Sequence, residues 1–420
     1  MISKKSIKNE CYVYMTLPEQ VAPVTAGKFI LETTPSGENV GRFVYGKSYL
    51  ARFNAVPIDP VELKLTDKVY ETTIMKGVFG AIRDASPDYW GRRLIERHIS
   101  KPNVSELDYL LNSPDDRIGA LGFGLNQTPP APKRTFNKVI DLERLQQTAD
   151  ELIREEAAQD SLHIQVEELM LLGTSMGGAR PKAVVFSDNS LYVAKFNCAT
   201  DRWNNAIVEH AMLLLASVCG LNAAESKVVQ VGDRDVLLVK RFDRESTVAG
   251  YLRHRMISAL TVLRASDETS GRDKWSYVSL AEELRKFSAV PKEDAKELFR
   301  RMVFNALISN TDDHPRNHAF IAKDRWRLSP AYDLTPNPVI SLEHRDLAMQ
   351  CGQQGRFASK SNLLSECRRL MLEPDEAMAI IDTMADVVKN SWYKLARKAG
   401  LSERECELIQ GAFVYQGFFS

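Results

Sequence analysis

Two periodicities divide this chain. Residues 182–186 and 191–196 form short apolar runs separated by Asp188-Asn189, and residues 227–231 and 236–242 repeat the pattern about Gly232-Asp233. Runs of this kind joined by such dipeptides predict two hairpins, because Asn and Gly accept the positive φ that a tight turn requires. Between them, residues 205–218 carry a dense apolar helix pattern, and Gly220 suits its end. Earlier, residues 40–63 alternate in the manner of strands. Residues 77–98 read as a loop and then a helix, with Ser86 as N-cap and Pro87 in the first turn. Residues 141–158 predict a charged helix with Leu142, Leu145 and Leu152 among its apolar positions. Residues 292–309 place Leu298, Met302 and Asn305 or Ala306 on one stripe.

Beyond about residue 250 the pattern is mostly helical, broken by a polar stretch at 267–273 that reads as a loop or a disordered insert. The Pro-rich, basic segment 128–134 has the composition of an extended linker. The expected class is therefore α+β. A small β-rich module at 1–127 comes first, then a β-rich region at 135–245 and a helical region at 246–420.

Composition narrows the function without naming it. The chain is 44% apolar and 26% charged, and Lys+Arg 55 balance Asp+Glu 55. A near-zero net charge argues against a large basic face that grips nucleic acid unaided, and leaves DNA contact through a partner open. None of the six cysteines forms a C-x-x-C pair, so neither a zinc ribbon nor a thioredoxin-like site is indicated, and scattered thiols fit a reducing compartment. Asn9 and Glu10 interrupt the N-terminus before any long apolar run, which makes a poor signal peptide, and no run of about 18 apolar residues exists to span a membrane. The expectation is a cytoplasmic protein.

The candidate chemistry lies in residues 308–336. Asp312 is followed five residues later by Asn317, and a short hairpin then leads to Asp333. An acidic base, a carboxamide and a carboxylate in that order suit phosphoryl transfer, which needs a group to orient the attacking hydroxyl and oxygen ligands for Mg²⁺. A polar loop capped by its own Asp and Asn residues is the bland alternative. His314 and His318 are four apart, but Pro315 between them and the absence of an H-E-x-x-H glutamate argue against a zinc protease. No G-x-S-x-G nucleophile elbow is present.

Three weaker signals precede this stretch. Residues 172–182 are rich in glycine; Gly173 and Gly178 have Walker A spacing, but Ala179 and Arg180 follow in place of Lys and Ser or Thr. The segment reads as a glycine-rich flap between strands or as an ordinary turn. Lys195 lies on an apolar strand, where it needs an anion, and Glu209 on the next helix is its natural partner; a surface lysine and a wet-face glutamate are the alternative. Residues 239–243 end the second hairpin with Phe242, which can present backbone groups and a ring to an adenine.

With these parts in this order, the chain resembles the HipA family of serine/threonine kinases, the toxin half of bacterial toxin–antitoxin pairs. GGARPKA, YVAKF, KRFDR, NTDDHPRN and YDLTP follow one another as in that family's kinase core, while residues 40–63 and the segment DRIGALGF at 116–123 resemble its N-terminal module. The resemblance implies a two-lobed kinase-like core, with the N-lobe at 135–245 and the helical C-lobe at 246–420. It implies ATP and Mg²⁺ as cofactors. Asp312 becomes the base, and Asn317 and Asp333 the metal ligands. Lys195 binds the α/β-phosphates. Lys182 and the loop at Ser175, Met176, Gly177 and Gly178 cover the phosphates, Lys240 and Phe242 line the adenine pocket, and Asp243 and His314 complete the nucleotide-binding set. Ser175 matches the serine that becomes autophosphorylated. A small DNA-binding antitoxin of HipB type is the implied partner, with DNA reached only through it, and a translation component such as an aminoacyl-tRNA synthetase is the implied substrate. A small-molecule kinase and a catalytically silent co-repressor bound to the antitoxin are the competing readings.

Overall fold

The computed structural model describes residues 9–99, 103–132, 137–138, 141–154, 180–198, 200–338 and 341–419. Its contacts divide the chain into two units: residues 1–139, 157–190 and 243–257, and residues 140–156, 191–242 and 258–420.

The first unit is built on an antiparallel sheet of β1 (Glu10–Thr16), β2 (Pro23–Thr33), β3 (Asn39–Tyr45), β4 (Tyr70–Thr72) and β5 (Leu121–Gly124), in the order β4-β3-β2-β1-β5. Val13, Met15, Phe29 and Phe43 fill its buried face. Gly41 on β3 admits no side chain, because a Cβ there would sit 1.8 Å from the carbonyl oxygen of Gly77. The alternation read over 40–63 is a strand only as far as Tyr45. Beyond it the backbone is satisfied by side chains instead of a ladder. Tyr45 donates to the Leu63 carbonyl at 2.6 Å, and the buried Asp59 carboxylate accepts from the amides of Val61 and Glu62 at 2.7 and 2.6 Å.

The helix Tyr89–Ile99 forms where the apolar period places it, but its cap is Asp88 rather than Ser86, with the Gly91 amide donating to Asp88 Oδ1 at 2.8 Å. A carboxylate at this position meets the positive end of the helix as well as its orphan amides, and Pro87 precedes the cap. Two further pieces complete this unit. β6 (Asn137–Lys138) runs parallel to β7 (Lys182–Ser187), and β11 (Arg244–Thr247) pairs antiparallel with β12 (Gly250–Arg253).

The second unit carries an antiparallel sheet of β8 (Ser190–Phe196), β10 (Arg234–Lys240) and β9 (Ser226–Val231). The helix Asn205–Val218 lies between β8 and β9 in sequence; Asn204 accepts from the Ile207 amide to cap it, and Gly220 at φ +82° follows its end. Helix Leu142–Arg154 covers the expected charged segment as far as it is described, with Leu142 and Leu145 fully buried. The remainder is mainly helical: Tyr277–Leu284, Pro291–Leu307, Pro374–Ala399 and Glu403–Ile409, with a hairpin of Ala319–Ala322 and Trp326–Leu328. The stripe of Leu298, Met302, Asn305 and Ala306 is fully buried. The polar stretch at 267–273 runs into a 3₁₀ turn, Thr269–Lys274, and Asp267 holds Arg316 through two bonds of 2.9 and 2.6 Å.

Candidate functional site

Within the second unit, Lys195 interrupts the otherwise buried run of β8, opposite Leu237 of β10. Its ammonium lies 2.7 Å from Glu209 Oε1 on the helix Asn205–Val218 and 2.7 Å from Asp333 Oδ1. Burial alone would push the Lys195 pKa down, but the carboxylates of Asp333 and Glu209 outweigh it and hold the pKa above its ordinary value. Asp333 adopts φ +60°, and Ser309 in the loop after helix Pro291–Leu307 adopts φ +54°. Aspartate tolerates the left-handed region better than most side chains, and such conformations gather at functional sites.

The loop carrying Asp312 and Asn317 is tightly wound. The His314 amide donates to the Asp312 carbonyl and the Asn317 amide to the His314 carbonyl, each at 2.8 Å. A 3₁₀ turn, Pro315–Asn317, follows, and Asn317 Nδ2 returns to the Asp312 carbonyl at 3.3 Å. Among the described residues the Asp312 carboxylate has no hydrogen-bonded or ion-paired partner, and the residue is exposed. Loss of hydration from the surrounding protein raises its pKa. The charges of Asp333 and Asp313 add to the rise, while His314 and Arg272 oppose it. His314 stands edge-on to Trp275 with ring centres 6.4 Å apart.

Phe242 lies after β10 and pairs with Tyr332, ring centres 5.7 Å apart, immediately before Asp333. Lys240 points to Glu225 at 2.8 Å and is more than a third exposed. The other expected residues belong to the first unit or lie outside the described residues. Lys182 is almost fully buried, with its ammonium 2.8 Å from Asp88. Asp243 is buried and accepts from the Gly119 amide at 2.9 Å and from Arg244 at 2.7 Å. Ser175, Met176, Gly177 and Gly178 lie outside the described residues. The second unit thus brings together Lys195, Glu209, Asp333, Asp312, Asn317 and Phe242.

The donor chemistry of Asn317 and Asp333, an amide oxygen and a carboxylate, fits Mg²⁺, which takes hard oxygen ligands and relies on few protein groups beside phosphate and water. No cluster of three or more His, Cys, Asp or Glu suited to a metal occurs among the described residues. No helix among them is long and apolar enough to cross a membrane.

The structure also adds residues that the reading of the sequence did not assign. Asp313, one residue after the expected base, is buried and accepts from Tyr277, from Asn305 at 2.7 Å and from His318 at 2.7 Å. The signal for Asn305 was present as a carboxamide in an apolar stripe. His318 was weighed only as a metal ligand.

Comparison with known proteins identifies the family of the chain. The model of the HipA-like C-terminal domain matches residues 174–392, a little over half of the 420 residues. The chain therefore belongs to the HipA family. It is 24% identical over 202 residues to the serine/threonine-protein kinase toxin HipA of Shewanella oneidensis, covering 42% of this chain and 46% of that protein. It is 27% identical over 171 residues to Y4mE of Sinorhizobium fredii, a candidate kinase by name, covering 40% of this chain and 39% of that protein. These matches span less than half the length of either relative. The solved structure of Shewanella oneidensis HipA, in complex with HipB and its operator DNA, superimposes with a TM-score of 0.69 at 16% identity, covering 94% of each chain. At that identity the likeness is one of fold, and it bears out the expected α+β class.

Proposed function

We propose that this chain is a Mg²⁺- and ATP-dependent serine/threonine protein kinase, acting as the toxin of a toxin–antitoxin pair. The observation that carries the reading is the position of Lys195 between Glu209 and Asp333, 2.7 Å from each, in the unit that also holds Asp312 and Asn317. A strand lysine paired with a helix carboxylate, beside an aspartate able to turn to a metal, supports phosphoryl transfer of the protein-kinase kind.

In this reading Lys195 binds the α/β-phosphates and gives up its contact with Asp333. Asp333 and Asn317 would hold Mg²⁺, which would supply charge neutralisation at the transferring phosphoryl group. Asp312 orients the substrate hydroxyl and accepts its proton as the new O–P bond forms and the bond to the ADP oxygen breaks. The raised pKa of Asp312 brings it nearer to working pH, as general-base catalysis favours. Phe242 and Lys240 line the adenine pocket, and His314 belongs to the same nucleotide-binding set. The family resemblance assigns phosphate contacts to Ser175, Met176, Gly177, Gly178 and Lys182, the last of which must then leave Asp88.

Ser175 is the proposed autophosphorylation site. A phosphate there adds about −1.5 to −2 charge to a phosphate-binding loop and ejects it. The proposed partner is a small DNA-binding antitoxin of HipB type, supported by the HipA–HipB–DNA complex of the fold relative. The proposed substrate is a translation component such as an aminoacyl-tRNA synthetase.

The test is intact-mass spectrometry with peptide mapping after incubation with Mg-ATP, alongside ADP release. The expected result is phosphate on Ser175 of the wild type, with the rate lowered about 10²–10⁴-fold in Asp312→Ala. A wild type that neither gains phosphate nor forms ADP overturns the reading.

A further inference from the structure

The side chains beneath the Asp312 loop form a buried polar network that the proposed chemistry does not itself use. Asp313 is 1% exposed, His318 2%, Asn305 0% and Asn310 1%. One oxygen of Asp313 receives three donors: the Tyr277 hydroxyl, Asn305 Nδ2 at 2.7 Å and His318 Nε2 at 2.7 Å. Asn305 Oδ1 in turn accepts from Asn310 Nδ2 at 3.0 Å, and Asn310 also reaches the Asp333 carbonyl at 3.4 Å.

The connectivity points to a purpose. Asp313 follows Asp312, and His318 follows Asn317, so their bond closes the base-to-ligand loop from below. Asn305, fixed in the helix Pro291–Leu307, forms its floor, and Asn310 ties the same floor to the main chain of Asp333. A second tie runs from the Tyr332 hydroxyl to the Arg316 carbonyl at 2.8 Å, joining the residues that precede Asp333 and Asn317. Polar groups buried this deeply are costly unless they are satisfied, and a connected network rigidifies what it touches.

We propose that Asp313 and Tyr277, with His318, Asn305 and Asn310, are positioning residues that set the spacing between Asp312 and the metal ligands Asn317 and Asp333, and so govern metal binding and turnover but not nucleotide affinity. The inference rests on the kinase reading. Partners behind metal ligands fix ligand orientation in this way, and their loss typically costs about 10–100-fold in metal affinity or activity.

The experiment compares wild type, Tyr277→Phe and Asp313→Asn. Calorimetry measures binding of the non-hydrolysable analogue AMP-PNP without metal, electron paramagnetic resonance measures Mn²⁺ affinity with AMP-PNP present, and kcat and KM for ATP are determined separately. Both variants should keep the metal-free analogue affinity and the KM for ATP, while Mn²⁺ affinity and kcat fall about 10–100-fold in Asp313→Asn and less in Tyr277→Phe. Tyr277→Phe removes a single donor and keeps the ring, so it decides the matter alone if Asp313→Asn fails to fold. Folded variants with wild-type Mn²⁺ affinity and kcat overturn the proposal. So does a loss of metal-free analogue affinity in the same proportion, which marks mere structural support. A wild type that binds no Mn²⁺ with AMP-PNP overturns the kinase reading and this inference together, whereas a wild type that binds with unaffected variants overturns only the inference.

Discussion

Two clusters of buried charge, one in each unit, use that charge differently. In the first unit Asp243 and Arg244 are each 3% exposed, and Arg244 spends its donors on Asp243 and on the carbonyls of Gly119 and Arg117. Arg253 donates to the carbonyls of Gly119 and Leu121 at 3.1 and 2.8 Å, and Arg117, fully buried, donates to those of Ala85 and Ser113 at 3.1 and 2.8 Å. In the second unit Lys195 is 19% and Asp333 39% exposed, one ammonium faces two carboxylates, and Asp312 adds a third negative charge to the same field. A planar guanidinium fixed on backbone carbonyls is architecture, because its donors are committed to groups that cannot move away. An ammonium outnumbered by carboxylates that water still reaches suits the proposed site, because a divalent cation and a phosphate would each relieve the imbalance.

The contrast breaks most readily at Arg244. Arg244→Ala strands the buried Asp243 carboxylate and should cost about 3–5 kcal/mol of stability, read as a lower urea midpoint at unchanged slope, with AMP-PNP affinity intact in the folded fraction. A midpoint close to wild type would remove the arginine from the architecture. Lys195→Met is the converse. It leaves Glu209 and Asp333 without their ammonium, so stability falls by a smaller amount, about 1–3 kcal/mol, while AMP-PNP affinity falls at least about tenfold, or 1.4 kcal/mol. Calorimetry showing undiminished affinity would mean that the lysine only holds its two carboxylates.

How much of this contrast was legible beforehand depends on the distance along the chain over which each part is specified. The strands β7, β8, β9 and β10, the helix ending at Gly220 and the helix carrying Met302 follow from local period and turn chemistry, and they stand where the pattern puts them. The pairing of Lys195 with Glu209 was readable because a lysine on an apolar strand needs an anion and the following helix offered one. The tie to Asp333 spans 138 residues and has no local signature. The loop after Tyr45 misled because apolar alternation does not reveal that a tyrosine hydroxyl and the Asp59 carboxylate will satisfy the backbone. The helix cap at Asp88 is hidden for a related reason: Ser and Asp serve about equally well as caps, so sequence alone does not choose between Ser86 and Asp88. Asp313 was hidden by its neighbour, since two adjacent aspartates differ only in which one the fold turns inward.

A smaller effect tests how finely Asp333 is held. Tyr332→Phe removes the bond to the Arg316 carbonyl and keeps the ring that faces Phe242. The expected loss is about 0.5–1.5 kcal/mol, seen as a modest drop in Tm. No change in Tm would mean that the Phe242 ring alone fixes the segment.

The smallest effect has a sign opposite to that of a carboxylate stabilised by a cation. The Asp312 pKa is raised in the folded protein, first by lost hydration and then by the carboxylates of Asp333 and Asp313. Below the ordinary aspartate value of about 3.9 the group is protonated in both the folded and unfolded states, and it costs folding nothing. As pH rises from the ordinary value to the raised folded value, the unfolded chain releases its proton while the folded chain retains it, so stability is lost across that interval. Asp312→Asn carries no such charge. Its Tm should therefore match the wild type in acid and exceed it at neutral pH, even though its phosphoryl transfer is lost. Thermal unfolding of the two proteins across that range, without nucleotide or metal, makes the comparison. A wild type that instead gains stability over the variant as pH rises would show that the Asp312 carboxylate is stabilised by partners in the fold, and would place it with the architectural charges of the first unit.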